Sequence, residues 1–120
     1  MPREYKIYDD LEWKEHHLAT DAKRLAPREF PMLAENKDAK HAIMFFDNGY
    51  GISVIKDCPL LTMDSKFECA VLRQSPDGRY GLDYGTGIAD DVIRTNYEGE
   101  ISHIMHRIQD LPPVNQKAAA

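Results

Sequence analysis

His103 and His106 stand three residues apart, a spacing at which two imidazoles on one helix face can share a metal ion if His41 or Cys58 supplies a third ligand. The rest of that chemistry is missing from the pattern. No acid follows the metalloprotease spacing, Cys58 and Cys69 are eleven residues apart and match no zinc module, and both histidines flank an apolar stripe rather than interrupt it. His16 and His17 are adjacent, so on a helix they would diverge by about 100°. Gly85-Thr86-Gly87 has the look of a phosphate-cradling loop, but Asp90-Asp91 follows it where a basic residue and a helix N-terminus would be needed. Asp83, Asp90 and Asp91 are candidate acid/base groups or divalent-ion ligands; the simpler reading gives Asp90-Asp91 to the capping of a short helical turn. Ser53 lies in no nucleophile-elbow pattern. No catalytic set, resident metal or cofactor is expected.

The elements that must position these residues are legible between His41 and Tyr84. Two hairpin signals, Asp47-Asn48-Gly49 and Ser75-Pro76-Asp77-Gly78, divide the stretch into four short segments rich in β-formers. Asn48-Gly49 offers the two positive-φ positions of a type I′ turn, whereas Pro76-Asp77-Gly78 suits a type I turn closed by a left-handed glycine. Alternation assigns faces: Ile43 and Phe45, Ile52 and Val54, Phe67, Cys69 and Val71, and Tyr80, Leu82 and Tyr84 each lie on one face of their strand. The intervening Met44, Phe46, Ile55, Ala70 and Leu72 are apolar too, so both faces call for cover. The spacing of Ile101, Ile104, Met105, Ile108 and Leu111 predicts a helix over 98–111, ended by Pro112-Pro113.

Upstream, Leu11 to Leu25 reads as a helix capped by Asp10 and stopped at Pro27, with Thr20-Asp21 as a point where it could split. Phe30-Pro31-Met32 and the polar run 35–40 read as a linker. Lys56 to Lys66 is a long connection whose leucines should pack it on the body, and Cys58 within it is the more exposed of two reduced thiols. Asp90 to Ile93 reads as a helical turn or a link over one sheet edge. The expected architecture is α+β: an antiparallel meander of three to four strands with the C-terminal helix on one face. Residues 1–40 form a helical appendage, 41–112 the core, and 113–120 a flexible tail.

Charge limits the partners. The chain has 120 residues with 15 Lys and Arg against 20 Asp and Glu, and residues 41–112 alone hold 6 basic against 11 acidic side chains. A net −5 in the core disfavours nucleic-acid phosphates and suits a basic protein surface. The longest uncharged apolar run, Ala42 to Phe46, is too short to span a bilayer, and no secretory pattern opens the chain. The default compartment is the cytoplasm.

Phe46-Asp47-Asn48-Gly49-Tyr50-Gly51-Ile52-Ser53-Val54, the strand Phe67-Glu68-Cys69-Ala70-Val71-Leu72 and the segment Asp90-Asp91-Val92-Ile93 together resemble a group of small phage-encoded proteins of unassigned function. The resemblance covers roughly residues 43–111 and brings no catalytic residues with it. It implies a viral accessory role, of the kind filled by inhibitors of CRISPR and other host defences, in the host cytoplasm. Asp47, Tyr50, Asp83, Tyr84, Asp90 and Asp91 are the expected contacts to a basic surface of a host complex. The alternative is a small-ligand or metal site at Gly85-Thr86-Gly87 and Asp90-Asp91, with His103 and His106. A homodimer is also expected, because one helix would leave Met44, Phe46, Ile55 and Leu72 uncovered.

Overall fold

The computed structural model describes residues 4–24 and 35–114, so Pro27, the Phe30-Pro31-Met32 linker and residues 115–120 lie outside the described residues. A 3-10 turn (Tyr8–Asp10) leads into β1 (Lys14–Glu15), α1 (His17–Arg24), β2 (Lys40–Phe45), β3 (Tyr50–Lys56) and α2 (Pro59–Thr62). β4 (Phe67–Gln74), β5 (Tyr80–Leu82), β6 (Ile93–Thr95) and α3 (Glu98–Gln109) follow. The α+β expectation holds. The sheet, however, has six strands among the described residues rather than three or four, all antiparallel, in the order β1-β2-β3-β4-β5 with β6 also on β4. β5 and β6 divide one edge of β4, the first pairing with Leu72 to Gln74 and the second with Phe67 to Cys69.

The first hairpin turns differently from the expected type I′ geometry. Gly49 N–H donates to the Phe46 carbonyl at 3.1 Å, Phe46 N–H donates to the Tyr50 carbonyl at 2.8 Å, and of the turn residues only Gly49, at φ 86°, has a positive φ. This is a type I turn through Asp47 and Asn48 closed by a left-handed glycine, one residue longer than a I′ loop. The extra residue slips the register by one, so Phe45 pairs with Gly51, Met44 with Ile52 and Ala42 with Val54. Because side chains alternate, the whole strand is turned over. Ala42 and Met44 join Ile52 and Val54, while Ile43 and Phe45 go to the other face with Ile55 and Leu72. The single uncovered patch expected from Met44, Phe46, Ile55 and Leu72 therefore does not exist. The second hairpin follows expectation: Gly78 N–H donates to the Ser75 carbonyl at 2.9 Å, and Gly78 has φ 88°.

Asn48 takes the longer turn because its side chain is used elsewhere. It is buried, and its amide donates to the Ile108 and Leu111 carbonyls at 2.8 and 3.1 Å while its Oδ1 accepts from Tyr50 N–H at 3.1 Å. The hairpin tip thus adds a donor to the Ile108 carbonyl, which also accepts from Leu111 N–H at 3.1 Å, and gives one to the Leu111 carbonyl just beyond the helix. The Asn48 carbonyl also accepts from Val114 N–H at 2.9 Å, and a Cβ on Gly49 would stand 2.8 Å from Val114 Cγ2. Val114 is buried in the core and so is no part of a flexible tail.

Two hydrophobic clusters sandwich the sheet. On one face Ile101, Ile104, Met105 and Ile108 of α3 pack on Ile52, Val54, Phe67, Cys69 and Val71, as the stripe predicts. Leu11 is buried in the same cluster, with Tyr8 and Trp13 against it. The other face is covered at one end by Ala19 of α1 with Ala39, Ile55 and Cys58. The N-terminal region therefore gives the sheet a strand and the core a leucine, which corrects its reading as an appendage. Its single helix over 11–25 is also corrected: Asp10 closes the 3-10 turn by accepting from Ile7 N–H at 2.8 Å, and α1 starts only at His17. The connection 56–66 does pack on the body, through the buried Cys58 and Thr62 and through Leu61, while Leu60 is exposed. Leu60 N–H is held by the buried Asn36 side chain at 3.1 Å.

Asn48→Ala should lower unfolding free energy by about 1–3 kcal/mol, since it removes a buried side chain's bonds to the Ile108 and Leu111 carbonyls and to the Tyr50 amide. Asp47→Ala, at the exposed neighbour, should stay within about 0.5 kcal/mol. Urea denaturation of the two variants checks the contrast, and equal losses would contradict it.

Candidate functional site

The acidic candidates gather on one excursion of the chain. After β5, Asp83 N–H donates to the Val71 carbonyl at 2.9 Å; the chain then leaves the sheet and returns where Ile93 pairs with Cys69. The loop 83–92 thus springs from the middle of β4, with its two stems at nearly adjacent positions. Between Tyr80 and Ile93 the sequence holds three aspartates and no lysine or arginine. Asp90 and Asp91 are exposed, Tyr84 is 38% exposed, and Asp83 is half-buried.

The loop's polar groups hold its own shape. Asp83 Oδ1 accepts from Gly85 N–H at 2.8 Å, Thr86 Oγ1 from Ile88 N–H at 3.3 Å, and Asp91 Oδ1 from Val92 N–H at 2.7 Å. Ile88 packs on the core and ties the loop down. Of the two expectations for Asp90 to Ile93, the helical turn is not formed, and the segment is a link that leads into β6 on the edge of β4. Beside this stem Glu68 lies 3.5 Å from Arg94, and burial raises its pKa against the pull of that guanidinium.

Asp47 is exposed at the other end of the sheet, where the two hairpin tips and Pro113-Val114 border a groove of about 390 Å³. It is the one ionisable side chain lining that groove among the described residues. Tyr50 is fully buried in the core beneath α3, so its expected role as a contact residue is corrected to a packing one. The gathering of Tyr50 with the glycine turns in sequence did not reveal which way its strand faced.

The residues of the alternative reading have local partners. Gly85 and Thr86 spend their polar groups within the loop, and His106 stacks on Tyr5 with centroids 3.7 Å apart and pairs with Asp110 at 3.5 Å. No group of three or more metal-ligating side chains occurs among the described residues. Both cysteines are buried and free; burial holds the Cys58 thiol above its usual range and pushes Cys69 up to about 12. The expectation that Cys58 is the more exposed thiol is therefore wrong. No helix among the described residues is long and apolar enough to cross a membrane.

A histidine cluster at the β1–α1 corner escaped the sequence reading. His16 precedes α1 rather than lying in it, so its ring turns back onto His17, with centroids 4.2 Å apart, and lies 5.3 Å from His41. The buried His16 caps the helix: its Nδ1 accepts from Leu18 N–H at 3.0 Å and its carbonyl from Ala19 and Thr20. That Nδ1 must carry no proton. Burial, with His17 and His41 alongside, lowers the His16 pKa to about 4, and burial lowers that of His41. His41 Nε2 lies 2.7 Å from Ser53 Oγ, but Ser53 sits in the middle of a central strand whose amides belong to the sheet, leaving no evident oxyanion donors. The only signal in the sequence was a histidine at a helix start, a position usually given to Ser, Thr, Asp or Asn.

Because both depressed histidines take up protons more readily unfolded, stability is highest above the unfolded value of 6.5 and falls as the pH drops from there toward about 4. His16→Asn keeps a capping acceptor that does not titrate. It should flatten the decline in urea midpoint between pH 7.5 and 5.0, and an unaltered slope would remove His16 as the cause.

Comparison with protein-family models, with curated proteins and with solved structures finds no match to this chain.

Proposed function

We propose that the chain is a non-enzymatic phage accessory protein that binds and inhibits a host defence complex of the CRISPR type, or another nucleic-acid-processing complex, through an acidic surface. The observation that carries this reading is the loop 83–92, which presents Asp83, Asp90 and Asp91 beside Tyr84 with no basic residue among them. A rigidly held acidic loop suits a partner surface built to receive phosphates, because it offers the same sign of charge. Its aromatic supplies a large amphipathic contact at low conformational cost. The internal hydrogen bonds of the loop favour recognition, since a preorganised loop loses little entropy on docking. Asp47, at the hairpin tip, extends the charge to a second site. The partner is a host protein complex with a basic face, the place of action is the host cytoplasm, and a second copy of the chain is a further partner.

Expression in a bacterium with an active CRISPR system should raise plaquing of a targeted phage. Replacing Asp47, Asp83, Asp90 and Asp91 together by asparagine changes the net charge from −5 to −1 (−5 + 4). It should lower the association rate with the captured complex about tenfold or more and flatten its dependence on salt. Unchanged affinity and salt dependence in that variant would reject an electrostatic interface, and unchanged plaquing by the native chain would reject the defence target.

A further inference from the structure

β5 is an end strand of the sheet, as β1 is on the opposite side, and its outer side carries no other strand among the described residues. The hydrogen bonds on either side of it fix which backbone groups face outward. Ser75 N–H donates to the Arg79 carbonyl at 2.7 Å and Asp83 N–H to the Val71 carbonyl at 2.9 Å, and hydrogen-bonded pairs alternate along an antiparallel ladder. Gly81, opposite Arg73, therefore turns its N–H and carbonyl to β4, whereas Tyr80 and Leu82 turn theirs outward. The same two residues have the exposed side chains of the strand, 52% and 58% accessible. Tyr80 is already braced, its ring meeting Phe45 edge-on at 5.2 Å. Tyr80-Gly81-Leu82 has none of the lysines, prolines or bulges that commonly blunt a sheet edge.

We infer that two copies of the chain pair through the outer edges of β5, antiparallel about a two-fold axis at Gly81. In that arrangement Tyr80 lies opposite Leu82 of the second copy and exchanges two backbone hydrogen bonds with it, and Leu82 does the same with Tyr80. Gly81 meets Gly81 at a close, non-hydrogen-bonded position, where the absence of side chains favours approach. One step farther out, Arg79 stands opposite Asp83 of the other copy, twice over. This charge complementarity is what selects a second copy over a foreign strand: the sequence 79–83 is its own antiparallel complement. Arg79 is able to turn to it, since among the described residues its guanidinium pairs with Asp77 at 3.6 Å and both are exposed. The paired sheets would also bring two copies of the loop 83–92 to neighbouring positions. The dimer does not depend on the proposed host partner, and its test uses the protein alone.

Sedimentation over about 10 to 500 µM should show a monomer–dimer equilibrium, as befits a small interface. Arg79→Asp should weaken dimerisation about tenfold by setting acid against acid, and Asp83→Arg should do likewise with two bases. The double variant, with the charges exchanged, should restore it. Position 81 has room for a side chain, with nothing within 4 Å of an added Cβ, and the two native thiols are buried. Gly81→Cys should thus oxidise to a disulfide-linked dimer, whereas Gly99→Cys on α3, equally open, should not. A native chain that remains a 13.7 kDa species throughout would overturn the inference. So would a dimer that neither Arg79→Asp nor Asp83→Arg weakens.

Discussion

The side chain of Asn48 ties the first hairpin to the end of α3, and the register of β2 goes with that tie. A helix packed across a sheet is fixed in rotation by its apolar stripe, but its position along its own axis needs a stop, and its last carbonyls need donors. The amide group at the first hairpin tip contributes to both, donating to the Ile108 carbonyl and to that of Leu111 just beyond the helix, while Gln109 and Ser102 tie the helix to Lys6 and Tyr8. The same demand governs the turn. With its side chain committed to the helix, Asn48 occupies an ordinary turn position and leaves the left-handed conformation to Gly49 alone. The hairpin gains a residue, the register slips, and β2 presents Ala42 and Met44 rather than Ile43 and Phe45 to the helix. A single buried hydrogen-bonding group thus decides which half of a neighbouring strand is core.

Turning β2 over leaves the two faces unequal. Under α3 the cluster is large and continuous; on the other side it is built of small residues, Ala19, Ala39 and Cys58, around Ile55, and covers only the end near α1. Phe45 deals with much of the remainder. Its ring lies over Gly51, where a Cβ would come within 2.6 Å of it, and reaches Tyr80. A glycine in the middle of a paired strand costs stability in isolation, and here it makes room for an aromatic ring that closes the gap. The same ring gives β5, a strand of three residues, a packing contact through Tyr80.

What could be read from the sequence is what local chemistry determines. Pro76-Asp77-Gly78 specifies its turn without outside help, and the α3 stripe is strong enough that helix and buried face follow from spacing alone. Asn48-Gly49 was legible as a turn but not as a turn type, because the deciding partner lies sixty residues away. The misplaced faces of Ile43 and Phe45 follow from that one step. Residues 11–25 have helical periodicity in Leu11, Leu18 and Ala22, but β2 needs a neighbour at Lys40 and His41, and Lys14-Glu15 meets that need in extended form. The helix is left to start after it. The acidic positions were visible because charge needs no context; the burial of Tyr50 and the stacking of His16 on His17 were not, because both are set by where strands and helix ends fall.

The division of the β4 edge links the fold to the proposed activity. A long strand at a sheet margin exposes a row of unpaired groups, and this chain covers it with two three-residue strands laid end to end. Two short strands on one edge, joined in sequence, must have a loop between them that leaves the sheet and comes back to almost the same place. The loop 83–92 is that excursion, so its acidic residues are displayed as a consequence of how the edge is closed, with Val71 and Cys69 as fixed points on either side. Covering β4 in turn moves the edge outward to β5 and β6, and on β5 Tyr80 and Leu82 are the described residues that turn their backbone groups outward. An edge that short binds weakly by itself and needs side-chain matching to select a partner. Arg79 and Asp83, set symmetrically about Gly81, provide such a match, and Asp83 is also the first residue of the acidic loop. The strand open to pairing and the loop that carries the acids are thus consecutive in the chain.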